Sequence, residues 1–441
     1  MFLFALALAV AGGASRADQL GQPIVRGVAI IAMAIVIGAR RSLAYDRIRP
    51  ILILLGLAAL LCLLQLVPLP PALWYSLGGR GDFTALSTTL GLPEVWRSLS
   101  LTPDATINAL FSLIVPLAVA IIVAAFTPEQ LRALLPGLVV FISISAVIGL
   151  IQFGSGDWNN PLLNETLGEA AGVFANRNHQ SLFLAVGILL LPAWAVRLDW
   201  RIKWTRTAVA VILMPFFILM VLATGSRAGL VLAGLALLLN LWVCADTIQV
   251  FMTTSRKSRT RTTTIAVACM LLVTGLALFA TRTRALDRLF ASDAVEDFRF
   301  RVFPTVQALV REYLPWGSGL GSFDTVFRAA EPLSLLRTAY FNHAHNDFAE
   351  VALEAGLPGI ALIVGAVIWV ASRAAVTQRT NNRRFRRYGR IGVSIIMLVL
   401  LASVVDYPAR VPICMALLVI AAVWLHPDVA MSDSPAKRHP A

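Results

Sequence analysis

The chain has 441 residues, is 58% hydrophobic and has a mean hydropathy of +0.78, which excludes an ordinary soluble globular protein. A formal net charge of +13 would fit a nucleic-acid binder, but the basic residues sort by position along the chain, and no nucleic-acid partner is expected. The four cysteines, Cys62, Cys244, Cys269 and Cys414, all fall inside apolar runs, a spacing that suits neither disulfides nor zinc.

Apolar runs of bilayer length recur from end to end. They predict an all-α polytopic membrane protein with about 12 transmembrane helices, at 1–14, 22–38, 51–68, 105–126, 134–153, 180–196, 207–223, 228–245, 264–280, 357–372, 391–406 and 411–425. Helices satisfy their backbone polar groups internally, and the dyad alternation of a barrel is absent. The expected regions are helices 1–9 with short loops over 1–280, a long, partly helical outer loop over 281–356, helices 10–12 over 357–425, and an inner tail over 426–441. With both termini inside, the short inner segments and tail hold 22 of the 37 Lys/Arg residues, against 7 in the short outer segments. The long outer loop holds the other 8 and is exempt from the positive-inside rule. The run Arg383-Arg384-Phe385-Arg386-Arg387 then reads as a topology anchor open to anionic lipid.

Residues 1–14 fit either a signal peptide or a retained span; without a basic start, retention is the reading taken. Arg40, Arg41, Arg47 and Arg49 mark the next inner turn. The outer loop 69–104 is broken by Pro68, Pro70 and Pro71, and its Trp74 and Tyr75 suit an aromatic belt. Stacking of Trp74 or Trp96 on sugar rings is the other reading. The loop 154–179 contains the glycosylation sequon Asn164-Glu165-Thr166 and ends in Phe174-Ala175-Asn176-Arg177-Asn178-His179, a group able to bind a polar ligand. The turn Thr224-Gly225-Ser226-Arg227-Ala228-Gly229 is too short to let Arg227 wander from the outer interface, where it is either packed or snorkelling.

The segment 281–350 must house the water-facing chemistry. It carries Arg299-Phe300-Arg301, an amphipathic stretch to Tyr313, and Pro315-Trp316-Gly317-Ser318-Gly319-Leu320-Gly321-Ser322-Phe323. With no parallel strand before it, this Gly-x-Gly-x-Gly pattern reads as a turn and not as a nucleotide loop. The segment closes on Asn342-His343-Ala344-His345-Asn346-Asp347, with Glu350 and Glu354 following. Polar groups gathered so close to the bilayer are costly, so the cluster is a functional-site candidate. Asn346 and Asp347 are suited to cap a short helix that Gly356-Leu357-Pro358-Gly359 breaks, and its N-terminus would favour an anion beside His345. Asp406 and Arg410 read as an ion pair closing the bundle.

These residues carry a resemblance. Asn342-His343-Ala344-His345-Asn346-Asp347, with Glu350, Glu354 and Gly356-Leu357-Pro358-Gly359, resembles the signature of the O-antigen ligase and polymerase superfamily. Arg299, Phe303 and the Pro315–Phe323 turn look like a second element of that family, with Phe303 where many members have Trp. Phe174, Asn176 and Asn178 are similar to a third element, and Gly225-Ser226-Arg227-Ala228-Gly229 to a fourth. The four matches stand in family order over about 170–360.

The resemblance implies a GT-C-like membrane glycosyltransferase that moves a glycan from an undecaprenyl-pyrophosphate carrier to an acceptor hydroxyl on the periplasmic face of the inner membrane. The acceptor is a lipid A-core sugar for a ligase, or another carrier-linked repeat for an O-antigen or exopolysaccharide polymerase. No metal and no cofactor are implied. Carried over by position, the catalytic candidates are His345, Arg227 and Arg299, and the binding candidates are Arg301, His343, Asn346, Asn176, Asn178 and Arg410. The chemistry agrees with the residue types: arginine forks neutralise a pyrophosphate leaving group, and an imidazole orients or deprotonates a hydroxyl near neutral pH. His343 and His345 alone make half a metal site at most. A transporter or flippase is the competing class, but it would place its polar residues near the bilayer midplane on broken helices in repeated halves.

Overall fold

The computed structural model describes residues 2–16, 18–39, 42–155, 158, 160–163, 168–195, 204–246, 294–336 and 341–431. The expected span 264–280, Cys269, Arg40, Arg41, the sequon Asn164-Glu165-Thr166 and the tail beyond 431 lie outside them.

Among the described residues the regular structure is helical apart from one two-residue ladder, and the helices are numbered here in chain order. They are α1 (Phe2–Ala11), α2 (Gly21–Gly38), α3 (Tyr45–Leu66), α4 (Pro71–Tyr75), α5 (Gly81–Leu90), α6 (Pro103–Ser112), α7 (Ile114–Ala124), α8 (Pro128–Ser155), α9 (Arg177–Ala195), α10 (Trp204–Thr224) and α11 (Arg227–Val243). After the undescribed stretch come α12 (Ala294–Tyr313), α13 (Phe323–Ala330), α14 (Asp347–Arg379), α15 (Arg383–Ala402) and α16 (Pro412–Val423). Among the described residues seven helices are long and apolar enough to cross a membrane, with α6 and α7 running as one and α14 the longest. This is a multi-pass membrane protein. The first expected span is only the ten-residue α1, about 15 Å long and too short to cross a bilayer by itself. The apolar α11 and α16 are likewise shorter than a full span.

Helix α9 is the axis of the bundle. Leu182 to Leu191 are almost completely buried, an all-round apolar helix packed against α8, α10 and α11. Gly187 permits this contact, because a Cβ there would lie 2.7 Å from the Phe217 ring. The consequence for function is positional: the polar segment that opens α9, Asn176 to His179, lies at the centre of one end of the bundle.

The segment that runs from α12 into α14 has its own core. Phe298, Val302, Val306, Leu309 and Tyr313 form one stripe of α12 at helical spacing, and they bury against Phe323, Phe327, Phe341 and Leu353. None of these residues belongs to the main bundle core.

The glycine turn is a clamp. Gly317, Gly319 and Gly321 all have positive φ, and Ser318 and Gly319 donate their backbone N–H groups to the carbonyls of Leu353 and Glu354, each at 2.9 Å. These carbonyls end the first turns of α14, which breaks at Gly356 (φ 58°). A Cβ on Gly356 would stand 2.1 Å from the Pro315 carbonyl oxygen. The Gly-x-Gly-x-Gly pattern is therefore a turn, as its sequence context indicated, and the N–H groups of Gly317, Ser318 and Gly319 are spent on backbone carbonyls.

Trp74 corrects the aromatic-belt reading. It is only 2% exposed, donates Nε1–H to the Ser98 carbonyl, and lies beneath the guanidinium groups of Arg80 and Arg97 at 5.0 and 5.2 Å. A short antiparallel ladder, Pro68–Leu69 with Arg97–Ser98, closes this loop.

Candidate functional site

Two charged hubs lie side by side where α9, α12, α14 and the turn after α15 meet. The first is Asp406, which is 3% exposed. Its carboxylate accepts from Asn178 Nδ2 at 2.6 Å and Asn176 Nδ2 at 3.2 Å. His345 Nδ1 stands 3.4 Å away, His179 Nε2 3.6 Å and Arg299 Nη1 3.9 Å. The carboxylate also faces the N-terminal end of α9, where the helix dipole favours negative charge. Burial opposes the charged form of Asp406, but Arg299, His179 and His345 outweigh it and hold its pKa well below the usual carboxylate range.

The second hub is Arg410. Its guanidinium lies 3.4 Å from Asp347, 3.3 Å from Glu350 and 3.0 Å from Glu354. These carboxylates fall three and four residues apart, on one face of the opening turns of α14. Asp347 also accepts from Ser403 Oγ at 2.8 Å and from the Ala409 N–H at 3.2 Å, which ties α14 to the end of α15. The expected Asp406–Arg410 pair does not form. The turn Pro408–Arg410 sends the two side chains to different helices, so each charge is balanced by a separate cluster.

The histidines divide between the hubs. His343 Nδ1 is 2.8 Å from Glu350 Oε1, and its Nε2 is 3.3 Å from the Ser15 hydroxyl. His345 is held in a left-handed backbone conformation (φ 49°), the one non-glycine residue so placed among the described residues. Burial first, then the charge of Arg299, pushes its pKa down to about 4 despite the neighbouring Asp406, so it is neutral at pH 7. Tyr407 lies between the rings, with centroids 4.2 Å from His343, 4.9 Å from His345 and 5.2 Å from His179. The two Nδ1 atoms turn to different carboxylates, Glu350 and Asp406, and so do not converge on one point.

The other sequence candidates occupy different places. Arg299 is partly buried, its Nη1 reaching the Val405 carbonyl at 3.5 Å while its Nε is buried without a hydrogen-bond partner. Arg301, two residues on along α12, is exposed and does not join the cluster. Asn346 is the N-cap of α14, accepting from the Ala349 N–H at 2.9 Å. Arg227 opens α11 just after its N-cap Ser226, and Gly229 seats that turn on Ser181 at the start of α9. This brings Arg227 to the same end of the bundle as Asn178, whose carbonyl accepts from Ser181 Oγ at 2.8 Å.

Sequence reasoning missed three members, Asp406 as a hub, Tyr407 and Ser15, whereas the imidazole of His179 was part of the polar group read at the start of the span. One signal for Asp406 was present, a lone acid closing a long apolar run, where an uncompensated carboxylate is costly.

The described residues thus form a multi-pass helical bundle with an arginine–histidine–carboxylate cluster at one end. An O-antigen ligase family model matches residues 209–364, so the resemblance read from the motifs is borne out over that stretch. The match supports membrane glycosyl transfer of the ligase or polymerase type. It spans Arg227, Arg299, His343 and His345, whereas Asn176, Asn178, Asp406, Arg410 and Ser15 lie outside it. No curated protein matches the chain.

Proposed function

We propose that this protein transfers a glycan from an undecaprenyl-pyrophosphate carrier to an acceptor sugar hydroxyl, on the periplasmic side of a bacterial inner membrane. The observation that carries this reading is the state of Arg299. It is a partly buried guanidinium beside two histidines, 3.9 Å from its nearest carboxylate, with Nε unpartnered. A guanidinium so weakly engaged in a low-dielectric setting is suited to a pyrophosphate leaving group. Arg227, at the same end of the bundle, supplies the second cation. His345, Asn176 and Asn178 line the donor side around Asp406, and membrane lipid surrounds the carrier's polyprenyl chain. The GT-C-like architecture, with about twelve spans, belongs to the same reading.

Sidedness follows from charge. The cluster lies at the C-terminal end of α15 and the basic run at its N-terminal end, about 30 Å apart across twenty residues. If the basic end is cytoplasmic, the cluster faces the periplasm.

A ligase accepts on a lipid A-core sugar and a polymerase on another carrier-linked repeat. The ligase is the form proposed here, in line with the family description. Deletion of the gene, read by its glycan products, tests it: loss of long glycan from lipopolysaccharide with polymer retained on the carrier is expected. Single repeats in place of chains would make the protein a polymerase. Loss of the glycan altogether, with repeats trapped on the cytoplasmic side, would make it a carrier.

A further inference from the structure

The stretch joining α1 to α2 is wired into the site from three directions. The Gly12 carbonyl accepts from Ile413 N–H at 3.2 Å, the Gly13 carbonyl from Ala175 N–H at 3.1 Å, and the Ala14 carbonyl from Gln22 Nε2 at 2.6 Å. A Cβ on Gly13 would lie 1.8 Å from the Val173 carbonyl oxygen, so the backbone runs directly against the segment that leads into α9. This threading delivers Ser15, half-buried, to the free edge of His343.

Ser15, His343 and Glu350 then form a line. Glu350 is 1% exposed, accepts from the Ala344 N–H at 2.8 Å and faces Nδ1 of His343. A carboxylate at Nδ1 holds the proton there and leaves the lone pair on Nε2, directed at the Ser15 hydroxyl. Arg410 stands behind Glu350 at 3.3 Å. The groups facing His343 are thus Glu350, Ser15 and Tyr407, with Arg410 behind Glu350 and His345 on the other side of the Tyr407 ring. His345 has a different setting: its Nδ1 faces Asp406, and it is enclosed beside the charge of Arg299.

We propose that the Gly12–Ser15 segment is the acceptor-side wall of the site, with Ser15 positioning the acceptor hydroxyl on His343 and Glu350 orienting that imidazole. The inference rests on the glycosyl-transfer reading. In the step it serves, the acceptor oxygen forms a bond to the anomeric carbon while the carbon–oxygen bond to the carrier phosphate breaks. The electron pair leaves with the pyrophosphate, and the hydroxyl proton passes to His343 Nε2. His345 and Arg299 stay on the donor side.

The test uses the full chain purified in detergent micelles, an undecaprenyl-pyrophosphate-linked glycan and a lipid A-core acceptor. Ser15→Val should raise the acceptor KM roughly tenfold while donor KM stays within about twofold, because one positioning contact is lost on one side only. His343→Ala should lower kcat by roughly a hundredfold or more and regain part of it with added imidazole. Glu350→Gln should lower kcat by roughly tenfold while both KM values stay within about twofold, because the imidazole loses the carboxylate that orients it. The proposal is overturned if Ser15→Val raises both KM values equally or neither, or if His343→Ala keeps kcat within about fivefold of wild type. A wild-type protein that transfers nothing under these conditions overturns instead the reading on which it rests.

Discussion

The two ends of the bundle use arginine in opposite ways. At the basic end five guanidinium groups are consumed by the fold. Arg387 donates to the carbonyl of Ala193 at the end of α9, Arg390 to Trp242 at the end of α11, and Arg373 to Leu425 just beyond α16. Arg47 caps α7 through the Val123 and Phe126 carbonyls and pairs with Asp428 at 3.2 Å, and Arg386 takes both oxygens of Asp246. Helix C-termini present unpaired carbonyls and partial negative charge, and these arginines satisfy both. At the other end Arg299 keeps its nearest carboxylate at 3.9 Å and leaves Nε unmatched. The difference teaches that charge count alone does not locate a site; the degree of engagement does.

Five experiments would break or sharpen that contrast. The largest effect is expected from Arg299→Ala, which should lower kcat/KM for transfer by roughly 10²–10³ with little loss of folded protein, as for other transition-state charge contacts. Arg299→Lys should recover little of it, because the ammonium lacks the fork. Full activity in both variants would remove Arg299 from the chemistry.

Asp406→Asn comes next. It keeps the shape but deletes the charge that Asn178, His345 and Arg299 surround, so transfer should fall by roughly tenfold or more and thermal stability should drop. A variant equal to wild type in both assays would show that Asp406 organises nothing.

Acidification gives an intermediate effect with a definite sign. The native pKa of His345 is pushed down to about 4, below the ~6.5 of an unfolded chain. Its neutral form is therefore favoured by folding, and that stability is complete above pH ~6.5 and lost as pH falls towards 4. The wild-type melting temperature should fall more steeply across this window than that of His345→Gln. Parallel curves would refute the buried neutral imidazole.

The smallest effect on chemistry belongs to the basic end. Arg387→Ala should cost roughly 1–3 kcal/mol of stability through the lost charged hydrogen bond, with activity per folded molecule unchanged within about twofold. A chelator, likewise, should leave transfer unchanged; loss restored by magnesium or manganese would show a metal requirement.

The sequence made parts of this legible for physical reasons. Apolar length marks a spanning helix, so the long spans, such as α3 and α8, were evident from hydropathy. The Asn346 cap and the Gly356 break were evident because each has a local chemical cause within a few residues. What remained hidden depended on contacts between distant segments. Asp406 looks like the partner of Arg410 four residues away, yet its partners are Asn176, Asn178, Arg299 and His345. Ser15 meets His343 across 328 positions, which no periodicity or motif encodes. Trp74 was misread for the same reason: the Arg80 and Arg97 groups that cover it come from turns whose packing is set elsewhere. The basic run read as a topology anchor; that Arg386 and Arg387 in it also engage Asp246 and Ala193 is something hydropathy cannot foresee.

The glycine clamp carries a consequence for anyone who samples variation in this protein. Gly317, Gly319 and Gly356 hold backbone geometries that a side chain would strain, each where a Cβ would meet another segment within 2.5 Å. They fix the opening turns of α14, and with them the alignment of Asp347, Glu350 and Glu354 on Arg410. A saturation scan scored by activity would therefore rank these glycines beside the charged cluster, although they do no chemistry. Intolerance in such a scan would trace the outline of a hinge pin as sharply as that of the reaction centre. The two would separate only when abundance is scored alongside turnover.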